Sequence, residues 1–189
     1  MNESIRTFIA IELSTENQSK LSQIQKELKT SGADVKWVKP ENIHLTLKFL
    51  GETKISIIEN INKAIQETAN EFEKFSFELN ELGAFPKIQF PRVIWINAQE
   101  PTGTIIKIVS ELEDRLEKLG FAKEEREFTA HITIGRVRSS QGRIQLVDKL
   151  KEVKLSQPLI QEVNNLTLFK STLMPSGPIY EILRQANLK

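Results

Sequence analysis

The sequence contains no cysteine. That removes disulfides, thiolate zinc clusters and cysteine nucleophiles together, and fits a reducing or hot interior. Histidine occurs only twice, tyrosine once and tryptophan twice, so a site built on these side chains is confined to a few positions. No apolar run approaches the roughly 20 residues of a membrane span, and the start, Met1-Asn2-Glu3-Ser4-Ile5-Arg6, lacks the apolar stretch of a secretion signal. The expectation is a cytoplasmic protein that does not enter a membrane. Net charge is lacking too: 26 Lys plus Arg against 25 Asp plus Glu leaves +1, which argues against coating nucleic acid by bulk electrostatics. Any basic site must be local. What is present, 189 residues with 39% hydrophobic and 27% charged, suits one domain over 1–189, built as a single unit or as two intimately packed lobes.

Hydrophobic periodicity predicts strands and helices in irregular alternation. Arg6 to Leu13 reads as a buried strand, and Ser14-Thr15 caps a helix carrying Leu21, Ile24 and Leu28 that stops at Ser31-Gly32. A strand at Val35 to Val38 is broken by Pro40. Ile43 to Leu50 is a strand ended by Gly51, with Ile43, Leu45, Leu47 and Phe49 on one face and His44, Thr46 and Lys48 on the other. Ile55, Ile58, Ile61 and Ile65 mark a helix to about Phe72, Phe75 to Leu79 a strand, and Gly83-Ala84-Phe85-Pro86 a loop. Val93 to Asn97 is a strand, and Thr102-Gly103 opens a helix through Leu116 that stops at Gly120. Ala130 to Val137 is the next strand, with His131 and Thr133 on one face and Ile132 and Ile134 on the other. A short helix at Leu146 to Val153 and strands near Val163 to Phe169 and Pro178 to Leu183 complete the chain. Neighbouring strands without an intervening helix favour α+β with largely antiparallel sheets.

Both histidines open a His-aliphatic-Thr-aliphatic tetrad: His44-Leu45-Thr46-Leu47 and His131-Ile132-Thr133-Ile134, 87 residues apart. With 12 threonines in the whole chain, a matched pair of this kind is a rare accident. A lone histidine is most simply a satisfied core side chain; a repeated tetrad near half the chain length points instead to two pseudo-equivalent lobes facing one cleft. Strand parity puts each imidazole beside a hydroxyl. Two imidazoles supply the acid and the base that in-line displacement at phosphorus needs, and the hydroxyls of Thr46 and Thr133 supply donors for phosphoryl oxygens. A zinc site needs a further Asp or Glu ligand, and no His-x-Glu or His-x-x-x-His spacing occurs, so no metal and no cofactor is expected.

These tetrads resemble those of the two-histidine phosphoesterases, in particular the RNA 2′,3′-cyclic phosphodiesterases also called 2′-5′ RNA ligases. The resemblance extends through Arg6 to Ile11, Trp37 to Gly51, Phe85-Pro86 with Pro91 to Trp95, Gly135-Arg136, Leu168 to Ser171 and Gly177 to Glu181. It departs at Ala130, where many members have proline before the second histidine. The resemblance implies a bilobal α+β fold with a small antiparallel sheet backed by helices in each lobe and the active site in the cleft between them. It implies opening of an RNA 2′,3′-cyclic phosphate to a 2′-phosphate, with His131 as general base and His44 as general acid, and 2′-5′ ligation as the reverse reaction. RNA with cyclic phosphate ends, tRNA fragments among it, is the implied partner of a monomer. No ATP loop of the G-x-x-x-x-G-K-[ST] type is present.

Around the second tetrad, Phe128 to Val147 contains no acidic residue while Arg136, Arg138 and Arg143 add positive charge that can steer an RNA end. Strict alternation turns Arg136 away from His131, so its contact with substrate requires a bulge or turn at Gly135. Lys48 shares the parity of His44 and Thr46 and is a candidate substrate contact. Of the aromatics, Tyr180 and Phe85 lie beside predicted loops and are candidate base contacts. Glu124, Glu125 and Glu127 read as a solvated face. Two other functions use the same tetrads: hydrolysis of small cyclic nucleotide-like esters or 2′-5′ oligoadenylate, and RNA-end binding without turnover.

Overall fold

The computed structural model describes residues 3–189. In chain order it contains β1 (Ser4–Glu12), α1 (Thr15–Lys29), β2 (Val35–Trp37), β3 (His44–Lys54), α2 (Ile58–Ala69), β4 (Phe75–Leu79), β5 (Leu82–Lys87), β6 (Phe90–Asn97) and α3 (Thr104–Glu117). It continues with β7 (His131–Val137), α4 (Arg143–Glu152), β8 (Leu159–Val163), β9 (Asn165–Met174) and β10 (Gly177–Asn187). Two four-stranded sheets, β10-β9-β1-β3 and β2-β7-β6-β5, pair antiparallel throughout, and β4 and β8 form a separate ribbon. The α+β bilobal expectation therefore holds. Among the described residues no helix is long and apolar enough to cross a membrane.

Alternation in β1 explains the first sheet. Ile9 and Ile11 enter the main core, where Leu45, Ile132 and Ile134 are also fully buried, each side chain contributing about 1.5–3 kcal/mol. Phe8 and Ala10 point the other way and cluster with Phe169 and Tyr180. The helices exchange lobes. Helix α1 begins at Ser14, whose hydroxyl accepts the Asn17 N–H at 3.2 Å. It leaves the first sheet yet buries Gln25 against the second, where Nε2 donates to the Val38 and Ile134 carbonyls at 2.8 Å each. Conversely, α3 leaves the second sheet and packs against α2 and β3. The chain thus crosses between lobes repeatedly, and neither lobe is a contiguous half of the sequence.

Four local expectations are revised. Gly51 does not end its strand: at φ 68° it sits at a bulge, and β3 continues to Lys54. Gly83 to Pro86 is not loop but the edge strand β5, where proline costs no ladder bond to a further strand. Gly83 is there because the Trp95 ring lies across it, and an added Cβ would stand 2.2 Å from that ring. The predicted strand at Val163 to Phe169 resolves into β8 and β9. Ile55–Ile57 forms a 3-10 turn ahead of α2.

Candidate active site

Each tetrad begins its strand, and each imidazole is fixed the same way. His44 Nδ1 lies 2.8 Å from the Asn42 carbonyl, and His131 Nδ1 lies 2.7 Å from the Thr129 carbonyl, two residues back in both cases. A carbonyl only accepts, so both rings carry their proton on Nδ1 and present the Nε2 lone pair. His44 Nε2 accepts from the Thr46 hydroxyl at 2.9 Å. The Asn42 side chain in turn donates to the Pro178 carbonyl at 2.9 Å, tying the approach to His44 onto β10.

A bulge at the last residue of each tetrad decides what comes next on the cleft face. In β3, Ile9 pairs with Lys48 and Ala10 with Thr46, leaving Leu47 without a partner. Parity inverts there: Lys48 turns to the core and Phe49 to the side of His44. Lys48 is 3% exposed, and its Nζ donates to Glu113 Oε1 at 2.6 Å and the Ala122 carbonyl at 2.8 Å. The expected substrate contact at Lys48 is thereby corrected; strict alternation is interrupted one residue before it. Phe49, expected inside, is 61% exposed and 6.1 Å from the Phe8 ring. In β7, Ile94 pairs with Gly135 and Trp95 with Thr133, leaving Ile134 without a partner. This bulge brings the exposed Arg136 onto the face of His131 and Thr133, the condition its candidacy required.

The surroundings of the two rings differ. His44 stacks on Phe8 at 4.9 Å between centroids, meets Tyr180 edge-on at 5.4 Å and lies 6.3 Å from Phe169. Burial among these rings pushes His44 down to about 4, against the opposing effect of the Asn42 carbonyl, so the free imidazole is neutral at pH 7. His131 meets one ring, Phe85, edge-on at 4.9 Å. The two candidate base contacts thus each sit against one histidine. Burial also pushes the Tyr180 phenol up, opposed by the Arg136 and Arg6 charges. Arg6, two residues before Phe8 in β1, is a cleft residue the sequence reading passed over; the i, i+2 spacing to Phe8 was the available signal.

Beside His44 a cavity of about 140 Å³ is bounded by Glu12, Glu41, Phe169 and Tyr180. A larger concavity of about 500 Å³ around Ser14 and Gln161 includes neither histidine. Arg143 stacks its guanidinium over Phe90, 5.4 Å from the centroid, and Arg138 follows β7 with its backbone N–H on the Asp34 carbonyl at 2.9 Å. Glu124, Glu125 and Glu127 are exposed as expected.

Comparison with known proteins agrees with this geometry. The family model described as LigT like Phosphoesterase matches twice, at residues 11–95 and 96–180. The chain is 36% identical to an RNA 2′,3′-cyclic phosphodiesterase of Thermotoga maritima, covering 98% of this chain and 96% of the relative. It is 35% identical to the protein of that name from Methanocaldococcus jannaschii, with 96% and 99% covered. Among solved structures, TT0787 of Thermus thermophilus superposes with a TM-score of 0.80 at 25% identity, covering 97% of this chain and 98% of the other. E. coli LigT, in a crystal structure with 3′-AMP, shares the fold at a TM-score of 0.75, 24% identity and 99% coverage of both chains. With two tetrads on facing sheets and a family match over both halves, the chain belongs to the LigT-like phosphoesterases.

Proposed function

We infer that this chain hydrolyses RNA 2′,3′-cyclic phosphate ends to 2′-phosphates by acid–base catalysis between His44 and His131. The observation that carries this reading is the paired Nδ1 anchoring, which makes Nε2 of each ring the atom that takes or gives a proton, His44 Nε2 also accepting from the Thr46 hydroxyl. The names of the relatives supply the substrate class. In the forward step His131 takes a proton from water as its oxygen bonds to phosphorus, the P–O3′ bond breaks, and protonated His44 gives a proton to O3′. Both proton transfers are made by the protein, so the step calls for no metal. Ligation runs in the same direction rather than in reverse: an RNA 5′-hydroxyl takes the place of water, His131 takes its proton, and O3′ again leaves with the proton of His44. Thr46, Thr133 and Arg136 are the proposed contacts to phosphoryl oxygens. We propose a monomer acting on RNA fragments, those of tRNA included.

His44 poses a specific requirement. With its pKa at about 4, roughly one molecule in a thousand carries the charged ring at pH 7 until an anion arrives. The substrate phosphate supplies that anion and favours the imidazolium. Protonation also ends the bond from Thr46, since Nε2 no longer has a lone pair to accept it: Nε2–H is then the proton offered to O3′, and the Thr46 hydroxyl turns to donate to a phosphoryl oxygen. The depressed value equally favours a second reading, in which neutral His44 is the base and His131 the acid. An aryl phosphodiester with a nitrophenolate leaving group separates the two. That group needs no acid, so the ester is turned over by whichever alanine variant has lost the acid. Rescue of His44→Ala supports the first assignment, and rescue of His131→Ala the second.

The direct test of function is a short RNA ending in a 2′,3′-cyclic phosphate, incubated with EDTA. The expected product is the 2′-phosphate, formed undiminished by the chelator. Loss of turnover on chelation with recovery on adding magnesium or zinc would overturn the mechanism, and a 3′-phosphate product would overturn the orientation of the substrate.

A further inference from the structure

We propose that Arg6 and Phe49 form a subsite for the penultimate nucleotide, Arg6 holding its phosphodiester and Phe49 stacking its base, so that the enzyme selects RNA chains over cyclic mononucleotides. The inference rests on the phosphodiesterase reading and names the part of the RNA which the tetrads do not touch.

The placement follows from sheet register. Phe8 and Phe49 are ladder partners on the cleft face, and Phe8 carries the stacked His44 ring. Alternation in β1 puts Arg6 on the same face, about 6.8 Å further along the strand. Thr7 pairs with Lys170, so Arg6 stands one step beyond, beside Ser171, whose ladder partner is Tyr180. Across the cleft, Arg136 is brought forward by the second bulge, and its charge and that of Arg6 both reach Tyr180.

Chemistry gives this end of the cleft its ligand. Arg6 forms no ion pair among the described residues; Glu52 is its ladder partner but does not come within ion-pair distance. The guanidinium therefore keeps its donors for a phosphate. Phe49 exposes a large apolar ring next to a polar catalytic centre, an arrangement that stacking on a nucleobase would cover. The opposite end of the same face carries Glu12, ladder partner of His44, and Glu41. Carboxylates there repel a polyanion, so the RNA leaves the catalytic phosphate toward Arg6.

The experiment compares kcat/KM for a nucleoside 2′,3′-cyclic phosphate, for a dinucleotide ending in that same group, and for a dinucleotide whose penultimate position is abasic. The wild type should prefer the complete dinucleotide over the mononucleotide by about tenfold or more. Arg6→Gln should abolish most of that preference through KM and lessen its salt dependence. Phe49→Leu should reduce the preference about fivefold, and its loss should not add to that from removing the penultimate base. Both side chains are exposed, so the variants should fold. The proposal is overturned if the wild type shows no preference, or if each variant lowers mononucleotide and dinucleotide turnover equally. Failure to hydrolyse any of the three substrates would instead remove the phosphodiesterase reading itself.

Discussion

His44 and His131 open the same tetrad on the same kind of strand and rest on the same carbonyl anchor, yet the protein surrounds them unequally. Three aromatic rings enclose His44 and hold its proton affinity down, whereas His131 has Phe85 as its one aromatic neighbour. The tetrad decides where an imidazole points; residues from adjacent strands decide how readily it takes a proton. The contrast continues past the bulges. Beneath one sheet stands Lys48, paired with Glu113, and beneath the other Gly135, whose Cβ would meet Val35 at 2.9 Å and Trp37 at 3.0 Å. On the cleft side the corresponding residues are Phe49 and Arg136. A symmetric scaffold thus becomes a site with one apolar and one cationic wall.

The largest expected effect is on turnover. His44→Ala and His131→Ala should each reduce kcat by about 10² to 10⁴ in single-turnover assays with the fold intact, the scale of a lost general acid or base. A silent substitution at either position would end the account of a shared reaction centre.

Next is the buried ion pair. Lys48→Met leaves the Glu113 carboxylate without its partner and should cost about 3–5 kcal/mol in denaturant unfolding, while Lys48→Met with Glu113→Leu should recover most of it. KM for a cyclic end should stay at the wild-type value in the double variant. A raised KM would restore Lys48 as a substrate contact. On the other lobe, Gly135→Ala should cost about 1–3 kcal/mol through the crowding of Val35 and Trp37.

A smaller effect concerns pH. Because the folded His44 pKa lies at about 4, below the ordinary imidazole value of 6.5, the unfolded chain binds more protons between those two values. Stability is therefore full above about pH 6.5 and falls as pH drops toward 4, by up to about 3 kcal/mol from this residue. Thermal or denaturant unfolding of His44→Phe should lack this slope; an identical slope in the variant would assign it to other groups.

The smallest effect belongs to the hydroxyls. Thr46→Ala and Thr133→Ala should reduce kcat/KM by about tenfold, with Thr46→Ala the larger because Thr46 also bonds His44 Nε2. The reverse order would mean that this bond has no part in the reaction.

The tetrads, their strands and the α+β class were legible because alternating apolar residues and paired His-x-Thr spacing leave direct marks in sequence. The bulges were not. An unpaired Leu47 or Ile134 looks like any other strand residue, so parity carried Lys48 to the wrong face and left Arg136 conditional. Gly83 to Pro86 read as a loop since glycine and proline punctuate most chains; here one admits the Trp95 ring and the other sits on an edge strand. The exchange of α1 and α3 between lobes was hidden for another reason: helical periodicity shows that a face is buried but not against which sheet. The rings around His44 likewise depend on long-range pairing, Phe8 opposite Phe169, which no local spacing reports.

The protein has two histidines, so a ¹⁵N NMR titration of the imidazoles contains only two ring systems. The account predicts one that titrates near pH 4, vanishes in His44→Gln, and moves to higher pH when a non-hydrolysable phosphate ligand is added. A His44 ring that titrates near 6.5 without ligand would contradict the claim that burial among aromatic rings lowers its proton affinity.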